Sequence, residues 1–280
     1  MTETTAQKYE ALKQYFRDLG SVAVAYSSGV DSTLVLWVAH EVLGDKAVAY
    51  TATSPIYPPY ETSDAIEFCK EHGIPHVTIP VYPLEIEGLR DNPADRCYHC
   101  KKLIFSGLME AAAQSGLAAV ADGTNADDTG MYRPGMRALA ELDVVSPLKE
   151  VGMNKAEIRE LSQELGLPTW NKATFACLMT RFEYDTHITD GMLDMVGKGE
   201  LFLIDLGFRQ LRVRYMDGDV ARIELGPDEM ARMLEPGMAA RIDEELRSYG
   251  FKYVTLDLGG YATGKGTGGA DEKLLQNTEA

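Results

Sequence analysis

Ser27-Ser28-Gly29-Val30-Asp31-Ser32 brings hydroxyls, a carboxylate and a glycine together directly after the apolar run Val22-Ala23-Val24-Ala25-Tyr26. From Ser32 to Val42 the apolar residues Leu34, Val35, Val38 and Val42 fall at helical spacing, so this loop closes a strand and opens a helix. A helix start carries unpaired N–H groups and partial positive charge, which suits a phosphate. Gly29 lets the backbone approach an anion. Ser27, Ser28 and Ser32 can donate hydroxyl hydrogen bonds, and Asp31, repulsive to phosphate alone, makes sense as a magnesium ligand or a polar anchor. The bland reading is an ordinary helix capped by Ser and Asp. The loop's place after the first strand of a βαβ unit favours phosphate binding. Gly259 to Lys265 imitates the spacing of a Walker loop, but Gly266 follows where Ser or Thr is needed and no helical pattern comes after.

A second group of residues could handle metal or sulfur. Cys97-Tyr98-His99-Cys100 has the spacing that lets two thiolates reach one metal or cluster, and Cys177 lies far along the chain. Three thiolates suit a [4Fe–4S] cluster with one iron left open; zinc would take His99 as a fourth ligand. A Cys97–Cys100 disulfide is the further alternative, disfavoured in a reducing compartment. Cys69, beside Ala65 and Phe68 on a helical segment, reads as a core residue.

The elements that must hold these residues alternate strand and helix. Strands are expected at Val22–Tyr26, Ala47–Thr51, His76–Val81, Ala118–Ala121 and around Val144-Val145, and helices at Ser32–Val42, Ser63–His72, Tyr98–Ala113 and Asn154–Leu165. That rhythm predicts an α/β fold, a doubly wound, Rossmann-like parallel sheet. It places Asn125 and Asp127 after the fourth strand, at the carboxyl edge where such sheets bind ligands. After about Arg181 the pattern becomes α-β-β-α-β: a helix at Gly191–Leu206, strands at Gln210–Tyr215 and Val220–Leu225 around an Asp217-Gly218 turn, a helical stretch broken at Pro236, and a strand at Tyr253–Leu258. The expected division is a domain over 1–182, a smaller α+β domain over 183–258, and a glycine-rich disordered tail over 259–280.

The 280 residues are 45% hydrophobic and 25% charged, an ordinary globular composition. No run of about eighteen apolar residues exists, and the N-terminus lacks a secretory pattern; the expectation is a cytoplasmic protein without a membrane partner. The net charge of −16 weighs against a nucleic-acid partner.

The loop resembles the pyrophosphate (PP) loop of the ATP pyrophosphatase superfamily, usually Ser-Gly-Gly-x-Asp-Ser, with Ser28 standing where glycine is commoner. From about Leu12 to Leu258 the chain resembles the LarE family, ATP-dependent sulfur transferases of nickel-pincer cofactor biosynthesis. The resemblance is carried by Ser27–Ser32, Asp122-Gly123-Thr124-Asn125-Ala126-Asp127-Asp128, Tyr132-Arg133-Pro134-Gly135, Arg137-Ala138-Leu139, Ser146-Pro147-Leu148, Leu165-Gly166-Leu167-Pro168-Thr169-Trp170, Ala176-Cys177-Leu178, Thr180-Arg181 and Leu211-Arg212-Val213-Arg214. Lys172-Ala173-Thr174 departs from the family's Lys-Pro-Ser. One form of the family has a lone cysteine at the position of Cys177, which gives up its own sulfur. The other adds a Cys-x-x-Cys pair and a [4Fe–4S] cluster carrying an extra sulfide, and this chain resembles that form.

The resemblance implies a reaction and its residues. ATP, with Mg2+, would be bound by Ser27, Ser28, Gly29, Val30, Asp31, Ser32, Asn125 and Asp127. The substrate would be pyridinium-3,5-biscarboxylic acid mononucleotide, whose carboxylates are adenylated and converted to thiocarboxylates, with AMP and pyrophosphate formed. Asp31, Cys177 and Arg181 would be catalytic, and Cys97, Cys100 and Cys177 would hold the cluster. Arg212 and Arg214 alternate along a strand and share a face, so they would clamp the substrate phosphate; the plain alternative is a solvated or salt-bridged face. Arg133, Arg137 and Glu200 would join the substrate site, and Lys101 is either catalytic or merely exposed. A homohexamer is the family's expected assembly. A tRNA thiolase of the same superfamily, sacrificial donation by Cys177 and a non-enzymatic ATP or redox sensor are the competing readings. The acidic charge and the lack of an RNA-binding appendage weigh against the first.

Overall fold

The structure is a computed structural model that describes residues 1–128, 134–172 and 176–262. The chain divides into two compact units. The first comprises Met1–Ser54, Pro59–Pro83 and Asp95–Phe175; the second comprises Pro55–Pro58, Leu84–Ala94 and Ala176–Ala280.

In the first unit, α1 (Glu3–Leu19) precedes β1 (Val22–Ala25), α2 (Val30–Leu43), β2 (Ala47–Thr53), α3 (Pro59–His72) and β3 (His76–Pro80). There follow α4 (Arg96–Gln114), β4 (Val120–Ala121), α5 (Pro134–Glu141), α6 (Pro147–Glu150) and α7 (Lys155–Glu164). The strands pair in parallel in the order β3-β2-β1-β4. Val22, Ala23 and Val24 of β1 are fully buried, as a strand covered on both faces requires. The α/β class expected from the alternation is therefore what the chain forms.

The strand order fixes where a ligand can sit. The chain steps outward from β1 to β2 to β3, then crosses back to β4 on the other side of β1. Right-handed crossovers put α2 and α3 on one face and α4 on the other. The direction reverses between β1 and β4, so the loops leaving these two strands diverge at the switch point where such sheets hold ligands. One core cluster joins Leu12 and Phe16, Leu34 and Val38, Phe68, and Leu161, from α1, α2, α3 and α7. From α4, Ile104, Phe105 and Leu108 are also buried.

Two elements differ from the sequence expectation. The N-terminal helix α1 has a mostly polar sequence with sparse apolar positions; its Thr2 cap accepts from Thr5 N and its Leu12 and Phe16 are buried. The fifth strand expected at Val144-Val145 is reduced to a single parallel bridge between Val145 and Ala121.

In the second unit, α8 (Asp190–Asp205) precedes β5 (Leu211–Met216), β6 (Val220–Leu225), α9 (Met238–Ser248) and β7 (Tyr253–Leu256). The sheet order is β5-β6-β7, with β5 and β6 antiparallel and β6 and β7 parallel. Gly218 and Asp219 take positive φ between β5 and β6, where the Asp217-Gly218 turn is expected. The earlier segments belong here by direct bonds: Leu178 N donates to Ile56 O (2.8 Å) and Asn92 Nδ2 to Glu183 O (2.8 Å). No helix among the described residues is long and apolar enough to cross a membrane.

Candidate functional site

The Ser27–Ser32 loop joins β1 to α2. Ser32 Oγ lies 3.3 Å from Ser27 N, 3.1 Å from Ser27 Oγ and 3.2 Å from Gly29 O, so the loop folds onto the first turn of its own helix. Gly29 is the N-cap of α2 with φ −83°, an ordinary value, and no side chain caps the helix. The left-handed residue is Ser28, at φ +50° and 1% exposed. Every other described non-glycine residue with positive φ is Asn or Asp, which tolerate that region. For serine the conformation costs about 1–2 kcal/mol, so the glycine-favouring geometry belongs to the position where this chain departs from the usual loop.

Asp31 is held from two sides. Lys155 Nζ stands 2.5 Å from its Oδ2, and Asn125 Nδ2 lies 3.4 Å from its Oδ1. Lys155 opens α7, and its backbone N donates to Asp127 Oδ2 (2.8 Å); Asp127 N in turn donates to Asn125 Oδ1 (2.9 Å). The loop after β4 is fastened by Asp122, a buried carboxylate that accepts from Ser146 Oγ (2.7 Å), from Thr124 N (3.2 Å) and from the Thr124 hydroxyl. Gly123 lets this loop close on α2: a Cβ there would lie 3.0 Å from Ser32 N and 3.1 Å from Asp31 Cβ. The expected residues Asp31, Asn125 and Asp127 thus come together at the sheet's switch point. Lys155, which the sequence does not single out, and Asp122 and Gly123, to which the family motif assigns no role, bring them there. In this arrangement Asp31 serves as a polar anchor, engaged by an ammonium group.

A second ammonium reaches the loop. Lys172 Nζ lies 2.7 Å from Asp64 Oδ2 and 3.3 Å from Ser28 Oγ, and Ser28 Oγ donates to Glu61 O (3.2 Å). The Asp64 side chain is half exposed, so this ion pair is worth about 0–1 kcal/mol.

Cys97 and Cys100 lie in the first turns of α4, three residues apart and therefore on neighbouring positions of one face. Neither is in a disulfide; Cys97 is exposed and Cys100 buried. As a donor pair they fit one metal or cluster. His99 Nε2 is engaged with Asp95 Oδ2 at 3.1 Å. Among the described residues no three His, Cys, Asp or Glu side chains are gathered as a metal site. Cys69 is buried in the core, and burial pushes its thiol up to about 12.

Cys177, in the second unit, precedes a short 3-10 turn over Leu178–Arg181. Its carbonyl accepts from Thr180 N (3.1 Å), Thr180 Oγ1 (2.9 Å) and Arg181 Nη1 (3.4 Å). Arg181, fully buried, also donates to Ala176 O and bidentately to Glu200 on α8. Glu200 further accepts from Val213 N (3.0 Å) on β5. Arg214 donates through Nη1 to Thr180 O (2.6 Å) and through Nε and Nη2 to Glu224 Oε2 on β6. Arg212, also buried, donates to Leu211 O (2.6 Å), and its guanidinium lies 5.0 Å from the Tyr261 ring centre. Burial, then the Arg181 charge, lowers the Arg212 pKa. The residues Cys177, Arg181, Glu200, Arg212 and Arg214 therefore share one small region of this unit, with Glu224 as a member that sequence analysis did not find.

Of the remaining expected residues, Arg137 and Lys101 belong to the first unit. Arg137, largely exposed, stacks over the Tyr98 ring at 3.9 Å and lies 3.6 Å from Glu141. The Lys101 stem packs over Gly135, where a Cβ would meet its Cδ at 2.7 Å. Arg133 and the tail from 263 onward lie outside the described residues.

No protein-family model matches the chain. It is 42% identical over 92% of its length to an uncharacterized protein of Synechocystis sp., covering 96% of that protein. It is 38% identical over 94% of its length to pyridinium-3,5-bisthiocarboxylic acid mononucleotide synthase of Lactiplantibacillus plantarum, covering 94% of that enzyme. A more distant likeness, 28% identity over 54% of the chain, is to a component of the glutamine-hydrolyzing GMP synthase of Thermoplasma volcanium, of which 53% is covered. With a phosphate-type loop at the switch point and full-length similarity to that thiocarboxylate synthase, the chain belongs to the LarE family.

Proposed function

We propose that this protein is an ATP-dependent sulfur transferase of nickel-pincer cofactor biosynthesis, which converts the carboxylates of pyridinium-3,5-biscarboxylic acid mononucleotide to thiocarboxylates. A substrate carboxylate oxygen attacks the α-phosphorus of ATP, the α–β bond breaks and pyrophosphate leaves. Sulfur then attacks the acyl carbon, AMP leaves with the carboxylate oxygen, and a thiocarboxylate remains. A second round treats the other carboxylate.

The observation that carries the reading is the network around Cys177. Arg181, Arg214 and Thr180 hold the backbone on both sides of this thiol through hydrogen bonds of 2.6 to 3.4 Å, and Glu200 fixes Arg181. A position so over-determined suits a group that must meet a reacting carbon. Arg212 and Arg214 offer guanidinium groups for the substrate phosphate. Ser27–Ser32 holds the β- and γ-phosphates at the start of α2, and Asp31, Asn125 and Asp127 form its polar wall. Mg2+ arriving with the nucleotide would offset phosphate charge.

Held by the thiolates of Cys97, Cys100 and Cys177, a [4Fe–4S] cluster with one iron free of protein thiolate would supply the transferred sulfide. The family resemblance extends the proposal to a cytoplasmic homohexamer. The test is iron and sulfide analysis with absorption spectra of anaerobically prepared protein. Cys97→Ser, Cys100→Ser and Cys177→Ser should each lose the chromophore and sulfur transfer together, and Cys69→Ser neither. Iron-free protein with full activity in Cys97→Ser overturns the cluster.

A second reading has Cys177 alone donate its sulfur. Its support is that Thr180 and Arg181, from its own unit, fix the Cys177 backbone without recourse to Cys97 or Cys100. It predicts that Cys177 loses the mass of hydrogen sulfide after one turnover, with Cys97 and Cys100 dispensable.

A further inference from the structure

We propose that Ser28 is a positioning residue for Lys172, and that the Lys172 ammonium is the mobile cation that meets the phosphate groups of the nucleotide. The proposal rests on the reading of Ser27–Ser32 as an ATP loop and names how this chain works that loop.

The first ground is conformational. Ser28 holds φ +50° while 1% exposed, where glycine would sit without cost. Strain kept at one position points to something the side chain returns. The Ser28 hydroxyl donates to Glu61 O at 3.2 Å, which turns an oxygen lone pair toward Lys172 Nζ at 3.3 Å. Serine therefore ties Lys172 to the loop, and glycine cannot.

The second ground is electrostatic. The other partner of Lys172 is Asp64, at 2.7 Å and 48% exposed. Such a pair is screened by solvent and yields readily to a polyanion. The Ser28 hydroxyl has no charge with which to compete, so it keeps the ammonium near the loop without opposing its transfer to phosphate. The third ground is the anchoring of the Lys172 backbone: Arg159 donates from Nη2 to Lys172 O (3.2 Å) and from Nη1 to Trp170 O (2.7 Å). The side chain can then swing from Asp64 to a phosphate while its own carbonyl stays fixed.

Calorimetric titration of the full chain with ATP, inorganic pyrophosphate and AMP tests this. Ser28→Gly should melt no lower than the unaltered protein and bind ATP and pyrophosphate about three- to tenfold more weakly, because the ammonium must then be ordered over the loop on binding. AMP affinity should stay within about twofold, since AMP lacks the β- and γ-phosphates at the loop, the ones Lys172 would meet. Ser28→Ala keeps the strain and should lose the same affinity. Lys172→Met should weaken both ligands about tenfold or more, with Lys172→Arg partly restored. In the Lys172→Met background, adding Ser28→Gly should change nothing further. Unaltered pyrophosphate affinity in Ser28→Gly, or an equal loss in the Lys172→Met background, overturns the proposal. Unaltered protein that binds neither ATP nor pyrophosphate overturns the nucleotide reading itself.

Discussion

Arg181 and Glu200 meet through two parallel hydrogen bonds, Nε to Oε1 at 2.7 Å and Nη2 to Oε2 at 2.8 Å, with both side chains sealed from solvent. Removing one partner strands the other charge. Glu200→Ala should therefore cost about 3–5 kcal/mol in urea unfolding, and it should loosen the Cys177 carbonyl that Arg181 also holds. A loss below about 1 kcal/mol would mean that Arg181 finds another partner at little cost.

Arg212 and Arg214 should separate in behaviour. Arg212→Ala is expected to weaken mononucleotide binding by roughly 1.5–3 kcal/mol, the value of a charge-assisted hydrogen bond, with ATP affinity unchanged. Arg214→Ala should add a loss of stability, because Glu224 is fully buried and keeps only the 3.2 Å bond from Arg222 among its arginine partners. Equal substrate affinity in both variants and the unaltered protein would return these arginines to a purely structural role.

The same two residues show what the sequence made legible. Alternation along a strand predicts that Arg212 and Arg214 share a face. It does not predict that Arg214 meets Glu224, because the β5–β6 register joining them is fixed by the folded sheet. The phosphate loop was legible because strand, loop and helix start are contiguous. Lys155 and Lys172 were not, because they reach Asp31 and Ser28 across 124 and 144 residues. Helix α1, absent from the expected elements, was legible too, since Tyr9, Leu12, Phe16 and Leu19 recur at spacings of three and four and pack on the core.

Gly123→Ala should disturb the nucleotide loop more than the fold. The added methyl would stand 3.0 Å from Ser32 N, a backbone atom at the start of α2. We expect a stability cost of about 1–3 kcal/mol and a several-fold loss of ATP affinity by calorimetry. Unchanged ATP affinity would show that the loop after β4 can retreat without moving Ser32.

Cys69 should resist thiol reagents in the native state. Burial raises its thiol to about 12, so at pH 8 it stays protonated and unreactive. Labelling with iodoacetamide at pH 8 should modify Cys97 first and Cys69 only after unfolding. The folded state holds this proton above the pH at which the unfolded thiol, near 8.5, releases it. Stability should therefore fall as pH rises from about 9 toward 12, a slope that Cys69→Ala lessens while the raised tyrosines Tyr9, Tyr26, Tyr215 and Tyr249 keep the rest. Rapid native labelling of Cys69 would contradict its placement in the core.

The most direct measurement follows the products of one anaerobic reaction containing the protein, ATP, Mg2+ and pyridinium-3,5-biscarboxylic acid mononucleotide, by phosphorus NMR and mass spectrometry. The account predicts AMP and pyrophosphate in equal amounts, with one substrate oxygen replaced by sulfur for each ATP consumed. ADP and phosphate, or AMP formed with no sulfur in the product, would contradict it.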